Sequence, residues 1–274
     1  MKVFIVGLGL IGASYAQRLT KQNYDVYGYD KAPKTLQKAL KQGIIKSGEL
    51  EAITRCDVIV LALYPKDNVT FIKTHVHLFH EKQIITDVSG VKVPMLKEIE
   101  GVLPDTISYV SHHPMAGKEK PGYDAKDATL FEGKTAIMIK TSKTDNGDLV
   151  KLEAFLSVIG FSVFITTSPK HHDKMIAHTS QLPHVLALVL MALSDTDTPA
   201  YAANSYRDLT RIASINAPMW RELFESNKTF LSDEIKSMIT ELSRIETLID
   251  GKHSTELETY MQKVKEKRDA YGND

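Results

Sequence analysis

The fold of this chain is decided by residues 3–30, which read VFIVGLGLIGASYAQRLTKQNYDVYGYD. An apolar run at residues 3–6 leads directly into a glycine-rich turn at residues 7–12. A helical pattern follows to about Lys21, and a second apolar segment ends on Asp30. This order of strand, glycine loop, helix and strand is typical of a dinucleotide-binding βαβ unit. The sequence therefore predicts a parallel sheet that binds a nucleotide cofactor at this loop.

The three glycines of the loop have different predicted roles. Gly7 permits the tight turn, Gly9 lets the backbone approach a pyrophosphate, and Gly12 lets the helix pack on the strand. The helix that begins here presents unpaired N–H groups, at Leu10 and Ile11, and the positive end of its dipole. All five residues are predicted to bind the cofactor.

Asp30 indicates which cofactor is preferred. Its carboxylate stands at the tip of the second strand, where it can accept hydrogen bonds from both ribose hydroxyls. A negative charge at this point repels the 2′-phosphate of NADP, so the prediction is NAD. Lys31 follows directly and could bind that phosphate, so NADP stays the alternative.

Composition limits the class of protein. The 274 residues contain 34 Lys plus Arg and 34 Asp plus Glu, so no net charge attracts nucleic acid or an anionic membrane. The single cysteine, Cys56, excludes an internal disulfide and fits a reducing cytoplasm. The longest apolar run, at residues 185–193, is too short to span a bilayer. The expectation is a cytoplasmic protein without a signal peptide, a membrane segment or a nucleic-acid partner.

The chain divides into two halves of different pattern. Up to about residue 166, short apolar runs alternate with helical patterns, which predicts an α/β domain with a doubly wound parallel sheet. From Ser168 onward the spacing is helical, and Pro183 should kink or split a long helix there. We predict an NAD-binding Rossmann domain at residues 1–166 and an all-helical domain at residues 167–274. The long helices of the second domain favour a homodimer.

Polar residues follow two of the predicted strands at the edge where the cofactor should lie. His112 and His113 follow the fifth strand, and either could take a proton from a carbinol because histidine titrates near neutral pH. Pleat alternation does not decide between them, and a strand-capping turn explains them equally well. Ser89 and Lys92 follow the fourth strand, where Ser89 could bind a substrate oxygen or simply cap the next helix.

The helical half contributes a second group of candidates. His178, Gln181 and His184 fall near one helix face. Asp173, His178 and His184 could be metal ligands, but their spacing lacks a compact ligand motif, so no metal is predicted. Arg207 and Arg211 lie farther along, and an arginine facing the cleft suits bidentate carboxylate recognition. The alternative for each arginine is a surface position paired with a neighbouring acid.

Taken in order, five segments resemble the prephenate dehydrogenase family, which also includes arogenate and cyclohexadienyl dehydrogenases. The segments are VGLGLIGAS, TDVSGVK, HHPMAGKEKPG, SQLPH and YRDLTRIA followed by PMW. The resemblance spans nearly the whole chain. It implies a Rossmann domain followed by a helical dimerisation domain. It also implies NAD-dependent oxidative decarboxylation of prephenate to 4-hydroxyphenylpyruvate, with arogenate as the alternative substrate.

The resemblance also assigns residues to roles. His113, the histidine before proline, matches the catalytic base, and Arg211 matches the arginine that binds a substrate carboxylate. His184 matches a substrate-pocket histidine, Glu119 a gating or polar pocket residue, and Trp220 a pocket wall. Aromatisation supplies much of the driving force, so the protein mainly has to orient the ring and accept the hydroxyl proton.

Two departures from the family pattern affect these assignments. The family often reads D-x-x-S-x-K, whereas this chain reads Asp87-Val88-Ser89-Gly90-Val91-Lys92, so a catalytic role for Ser89 is a weaker expectation. Gln181, a predicted substrate-binding residue, stands where some members carry histidine.

Two other classes of protein remain as alternatives. The first is a dehydrogenase of the 3-hydroxy acid or imine type using Lys174. The second is a non-catalytic NAD sensor.

Overall fold

The fold is described from a computed structural model, which covers residues 1–118, 120–141, 143–251 and 254–272. Eight strands are numbered in chain order: β1 Lys2–Val6, β2 Asp25–Tyr29, β3 Val58–Leu61, β4 Ile84–Asp87, β5 Ser108–Tyr109, β6 His112–Pro114, β7 Thr135–Ile139 and β8 Val163–Thr167. The helices of the sheet region are α1 Leu10–Lys21, α2 Pro33–Lys41, α3 Pro65–His75, α4 Val93–Glu100 and α5 Asn146–Ile159. Every element after Thr167 in the described residues is helical, as the sequence predicted.

The later helices are α6 Pro169–Ile176, α7 Leu182–Ala192, α8 Thr198–Tyr201, α9 Asn204–Thr210, α10 Ala217–Ser226, α11 Lys228–Asp250 and α12 Ser254–Asp269. A π-helical segment, Ala177–Gln181, joins α6 to α7, and a 3₁₀ turn, Arg211–Ala213, follows α9. Pro183 lies in the first turn of α7, where it has no N–H to offer the preceding turn. The predicted disturbance of the long helix is therefore present as a π-helical segment, a feature often found at functional sites.

The main sheet has five parallel strands in the order β2-β1-β3-β4-β5. The chain moves outward in one direction from β1 to β2 and in the other from β3 to β5, so the order reverses between β1 and β3. In such a sheet, ligands bind beyond the carboxyl ends of the strands at this reversal. The predicted class of fold is confirmed, and the glycine loop lies at this point.

The rest of the strands form a second sheet that the sequence did not predict. Its order is β6-β7-β8, with β6 antiparallel to β7 and β7 parallel to β8. A strand-capping turn was one of two expectations for His112 and His113, but His112–Pro114 form a strand that pairs with residues 136–138. The predicted parallel sheet is confirmed for β1 to β5, whereas β6 to β8 lie outside it. The pairing fixes the backbone of both histidines.

The main sheet is covered on both faces. Along β1, Val3 and Ile5 belong to one apolar cluster, whereas Phe4 and Val6 belong to another. Successive side chains of a strand point to opposite faces, so two clusters from one strand mean that both faces are buried. This burial holds the carboxyl ends of the strands in fixed positions.

The chain divides into two compact units, Met1–Asn227 and Lys228–Asp274. The first contains both sheets and α1 to α10, and the second contains α11 and α12. All site residues discussed below belong to the first unit. The predicted domain boundary between residues 166 and 167 stays a prediction.

One helical stretch is apolar enough, by length and composition alone, to cross a membrane. It runs over Pro169–Ala192, and the best 18-residue window has a mean hydropathy of 1.4 with 28% of it buried within the protein. Its first turns nevertheless carry His172 and Asp173, both buried and bonded to residues of the sheet region. These polar contacts fix the start of the stretch against the sheets.

Candidate active site

The glycine loop has the geometry that a pyrophosphate requires. Gly7 has a φ of +89°, and a Cβ added there would lie 2.6 Å from the Ala62 carbonyl oxygen. A Cβ on Gly12 would lie 1.9 Å from the Gly7 carbonyl oxygen, so the start of α1 packs directly on the turn. A Cβ on Gly9 would meet no atom within 4 Å. The backbone at Gly9 is thus open to a ligand, whereas close packing at Gly7 and Gly12 leaves no room for a side chain.

Asp30 stands at the rim of this loop. Its carboxylate accepts hydrogen bonds from the N–H groups of Leu8 and Ala32, both at 2.8 Å. These bonds fix its orientation and leave further lone pairs for ribose hydroxyls. The Nζ atom of Lys31 lies 3.5 Å from the Asp67 carboxylate, an exposed pair. The residues at this position therefore fit a nucleotide with free ribose hydroxyls.

His112 is fully buried, and its contacts are with side chains of the protein interior. Its Nε2 atom is hydrogen-bonded to the Tyr15 hydroxyl at 2.8 Å, and its Nδ1 atom to the Thr86 hydroxyl at 2.7 Å. Burial lowers the pKa of His112 to about 3, with the positive charge of Lys92 acting in the same direction. Both ring nitrogens are used within the fold, so His112 has no free nitrogen for a substrate.

His113 presents the opposite arrangement. Its Nδ1 atom is hydrogen-bonded to Nε2 of His172 at 2.9 Å. Its Nε2 atom faces Gly90, since a Cβ added to that glycine would lie 3.7 Å from Nε2 and 3.7 Å from Cδ2 of Leu223. Burial, assisted by His172 and Lys92, lowers the pKa of His113 well below its ordinary value. The imidazole is therefore neutral at neutral pH and can accept a proton.

A buried ion pair holds the neighbouring strand ends together. The Lys92 ammonium donates to the Asp87 carboxylate at 2.9 Å and to the His112 carbonyl at 2.7 Å, and both charged side chains are inaccessible to solvent. Tyr109 donates to the same carboxylate at 2.8 Å. Burial would raise the pKa of Asp87, but the Lys92 charge and the hydrogen bonds outweigh it and lower that pKa. Lys92 thus joins the end of β4 to the start of β6 inside the protein.

Ser89 is also committed to the protein interior. Its hydroxyl accepts a hydrogen bond from the Asn68 amide at 3.0 Å and donates to the Met95 sulfur at 3.3 Å. Gly90, the next residue, is the one beside the His113 ring. These contacts give Ser89 a structural position and do not support the catalytic role expected for it.

His184 and Trp220 form an aromatic wall in the helical part of the first unit. Their ring centroids lie 3.8 Å apart at an interplanar angle of 31°. His184 donates from Nδ1 to the Ser180 carbonyl at 2.8 Å, which leaves Nε2 as an acceptor. Burial lowers the pKa of His184, so this ring is neutral as well. Trp220 lies on α10, the same helix that brings Leu223 to Gly90 and His113.

Gln181 is engaged at both ends of its amide. Its Nε2 donates to the Leu223 carbonyl at 3.1 Å, and its Oε1 accepts from the Asn227 amide at 2.8 Å. The side chain is 1% exposed. Gln181 therefore joins the π-helical segment to the end of α10, and these contacts do not support the predicted role in substrate binding.

Two predicted substrate residues are less fully defined. Arg211 is the first residue of the 3₁₀ turn, which packs against α7, and its side chain is exposed. Glu119 lies outside the described residues. Their roles stay predictions.

Sequence reasoning missed His172 and Asp173 as partners of His113. From sequence alone, Asp173 is a candidate only as a metal ligand. The available signal was a His-His-Asp run in the first turns of α6, directly after the Ser168 N-cap. Its partner lies 59 residues away along the chain, which no local pattern could indicate.

Comparison with known proteins supplies two matching family models. The model described as "Prephenate dehydrogenase, nucleotide-binding domain" matches residues 15–165, and that described as "Prephenate dehydrogenase, dimerization domain" matches residues 168–263. The two matches together cover most of the chain.

Individual relatives agree with these models. A prephenate dehydrogenase of Bacillus subtilis is 30% identical, with 97% of this chain and 75% of the relative covered. A cyclohexadienyl dehydrogenase of Zymomonas mobilis is 30% identical, with 90% of this chain and 88% of the relative covered. The crystal structure of prephenate dehydrogenase from A. aeolicus, in complex with hydroxyphenyl propionate and NAD+, superposes with a TM-score of 0.89. It is 30% identical and covers 99% of this chain and 98% of that one.

Proposed function

This chain belongs to the prephenate dehydrogenase family, and we propose that it catalyses the NAD-dependent oxidative decarboxylation of prephenate to 4-hydroxyphenylpyruvate. The observation that carries this proposal is the placement of His113. Its Nδ1 atom is hydrogen-bonded to His172, and its Nε2 atom faces the space beside Gly90, just beyond the carboxyl end of β4. The glycine loop of the same unit fits the cofactor.

Different residues of the chain have different roles in the proposed reaction. The loop at Gly7, Gly9 and Gly12 would hold the pyrophosphate, and Asp30 the ribose. When bound, NAD+ supplies the acceptor for the hydride that leaves the carbinol carbon. His113 accepts the hydroxyl proton at Nε2 as the carbinol is oxidised to a ketone. Loss of the ring carboxylate as carbon dioxide leaves its bonding electron pair in the ring as an aromatic phenolate, which takes up a proton to give the phenol. The wall of His184 and Trp220 orients the ring, and Arg211 binds a carboxylate of the substrate.

Arogenate is the second candidate substrate. The cyclohexadienyl dehydrogenase of Z. mobilis, 30% identical over nearly the same span, motivates this alternative. The two substrates differ only in a keto or amino group on the side chain, so few contacts separate them. The deciding experiment is to measure NADH or NADPH formation with prephenate and with arogenate, each offered with NAD+ and with NADP+. Turnover of neither substrate with either cofactor would refute the proposed activity.

We expect Asp30→Ala to weaken NAD binding by about 10-fold or more, because hydrogen bonds to a charged group contribute about 1.5–3 kcal/mol. Loss of the negative charge should also let NADP bind. Isothermal titration of both cofactors tests this, with Asp67→Ala as a control of equal charge at a neighbouring exposed position. Unchanged affinity for both cofactors would mean that another residue recognises the ribose.

We expect Arg211→Ala to raise KM for prephenate by about 10-fold or more, because hydrogen bonds between a guanidinium and a carboxylate contribute about 1.5–3 kcal/mol. NAD affinity should not change. Steady-state kinetics tests the split, with Arg207→Ala as the control, since Arg207 donates to the Ala202 carbonyl at 3.1 Å. An unchanged KM would remove Arg211 from the substrate site.

We also infer that the working protein is a cytoplasmic homodimer. The dimerization-domain model matches residues 168–263. Four large apolar side chains at the end of α7 and on α9 are 47–79% exposed in a single chain, namely Val189, Met191, Leu193 and Leu209. A second copy that covers them would remove this apolar surface from water. Light scattering of the purified protein measures the oligomeric state.

A further inference from the structure

A line of hydrogen bonds leads from the candidate base into the protein interior. His113 Nδ1 lies 2.9 Å from His172 Nε2, and His172 Nδ1 lies 2.8 Å from Asp173 Oδ1. The two rings meet edge to face, with centroids 5.1 Å apart at an angle of 65°. His172 and Asp173 are each 1% exposed. The whole line is therefore closed to solvent beyond His113.

The Asp173 carboxylate at the end of the line determines which ring nitrogens of His172 and His113 carry a proton. An ionised carboxylate only accepts hydrogen bonds, so His172 must carry its proton on Nδ1. Burial lowers the pKa of His172 despite the hydrogen bond to Asp173, which keeps this ring neutral and leaves Nε2 without a proton. His172 Nε2 therefore accepts, and His113 must donate from Nδ1. The free lone pair of His113 is then on Nε2, the atom that faces Gly90.

We propose that His172 and Asp173 are positioning residues, which hold His113 in the one tautomer that presents a basic Nε2 to the substrate. In the other tautomer Nε2 would carry a proton and could not accept one. The inference deepens the proposed function, because it rests on His113 acting as the base. It adds two residues that do not touch the substrate space.

Asp173 is itself held in place. Its two carboxylate oxygens accept from the N–H groups of Lys92 and Val93, at 2.9 and 2.8 Å, at the start of α4. Its carbonyl accepts from the Asn227 amide at 2.9 Å. The carboxylate thus cannot rotate away from His172 without uncapping a helix. The other charged groups near the line are Lys92 and Asp87, which neutralise each other at 2.9 Å.

The test substitutes His172, because Asp173 also caps α4 and its loss would disturb the fold. His172→Leu removes the acceptor for His113 Nδ1. His172→Gln restores one, since a glutamine oxygen can occupy the region of the imidazole Nε2. His171→Leu is the matched control, because His171 is exposed on the same turn. The variants are compared as full-length protein by thermal unfolding, by kinetics and by ¹⁵N NMR of the histidine rings, with His113 assigned from the His113→Asn spectrum.

In the wild-type protein we expect His113 to show a protonated Nδ1 and an unprotonated Nε2. His172→Leu should lose this signature and lower kcat about 10- to 100-fold, by analogy with removal of the outer partner of a metal-binding histidine. KM should change little, and His172→Gln should recover both the signature and most of kcat. The control should match the wild type.

Three results would overturn the inference. These are a protonated Nε2 on His113 in the wild type, an unchanged ring signature in His172→Leu, and equal loss of kcat in the leucine and glutamine variants. The NMR measurement needs no substrate. A wild-type protein that shows the expected tautomer but does not turn over prephenate or arogenate would therefore refute the proposed function alone.

Discussion

Replacing His113 with asparagine is expected to lower kcat with prephenate by about 10²- to 10⁴-fold, the contribution of a positioned general base. The asparagine keeps a polar side chain of smaller volume but has no basic nitrogen. NAD affinity should persist, because the glycine loop and Asp30 do not contact His113. Stopped-flow or steady-state formation of NADH gives the rate, and titration with NAD+ gives the affinity.

The pH profile distinguishes loss of the base from general damage. The pKa of His113 is held well below the ordinary histidine value, chiefly by burial. The wild-type kcat should therefore stay level from neutral pH down past pH 6.5, and fall only as the ring becomes protonated. His113→Asn should show no such acid limb. His77→Asn, on an exposed turn, is the control and should match the wild type. Full activity in the His113 variant would remove this residue from the mechanism.

The local part of the fold was predictable because its determinants are close in sequence. The strand, loop and helix at residues 2–21 follow from one apolar run and three glycines, and the structure gives Gly7 and Gly12 a steric reason while the backbone at Gly9 stays open. The second sheet was not predictable in the same way. Its first strand, His112–Pro114, has three residues and ends in proline, and it exists only because β7 pairs with it from more than 20 residues away. A pattern confined to one segment does not contain that information.

The contacts of the side chains in the site were likewise not predictable from a local sequence pattern. Sequence position alone left His112 and His113 equivalent, whereas the partners of each ring now separate them, since Tyr15 and Thr86 occupy both nitrogens of His112. The sequence places Ser89 just after the fourth strand and Gln181 at a family position often held by histidine, but each side chain bonds to buried neighbours. Polar type indicates that a residue needs a partner, and only the fold decides whether that partner is a substrate or the protein.

The glycine at position 90 is the clearest departure from the family pattern. The family often carries serine there, and this chain has the two residues in the opposite order. A Cβ at this position would sit in ordinary contact with the His113 ring, so that ring does not exclude the first atom of a side chain. With glycine at this position, the space beside His113 Nε2 stays open to a ligand. His113 therefore depends on His172 for its orientation, because the described structure offers no side chain from residue 90 to assist it.

The buried pair of Lys92 and Asp87 gives the largest expected effect on stability. Lys92→Met should lower the free energy of unfolding by about 3–5 kcal/mol, because it leaves a fully buried carboxylate without its cation. It also removes the donor to the His112 carbonyl, so the variant should lose activity through displacement of β6. Urea denaturation at fixed protein concentration measures the change. Lys38→Met, which breaks an exposed pair with Asp124, should leave the free energy of unfolding almost unchanged, because solvent screens that pair.

The pH dependence and a double variant identify the cause. Without Lys92, burial raises the folded-state pKa of Asp87 above the unfolded-state value of about 4. A raised pKa stabilises the fold only below the unfolded value, so the deficit of Lys92→Met should grow as the pH rises. Asp87→Asn combined with Lys92→Met removes the charge, while asparagine keeps a carbonyl for the Ser89 N–H that now donates at 2.8 Å. The double variant should therefore be more stable than Lys92→Met alone at pH 8 and show a flatter profile. If the double variant were the less stable of the two, the cost would come from lost packing and hydrogen bonds around Lys92, and an uncompensated charge would not explain it.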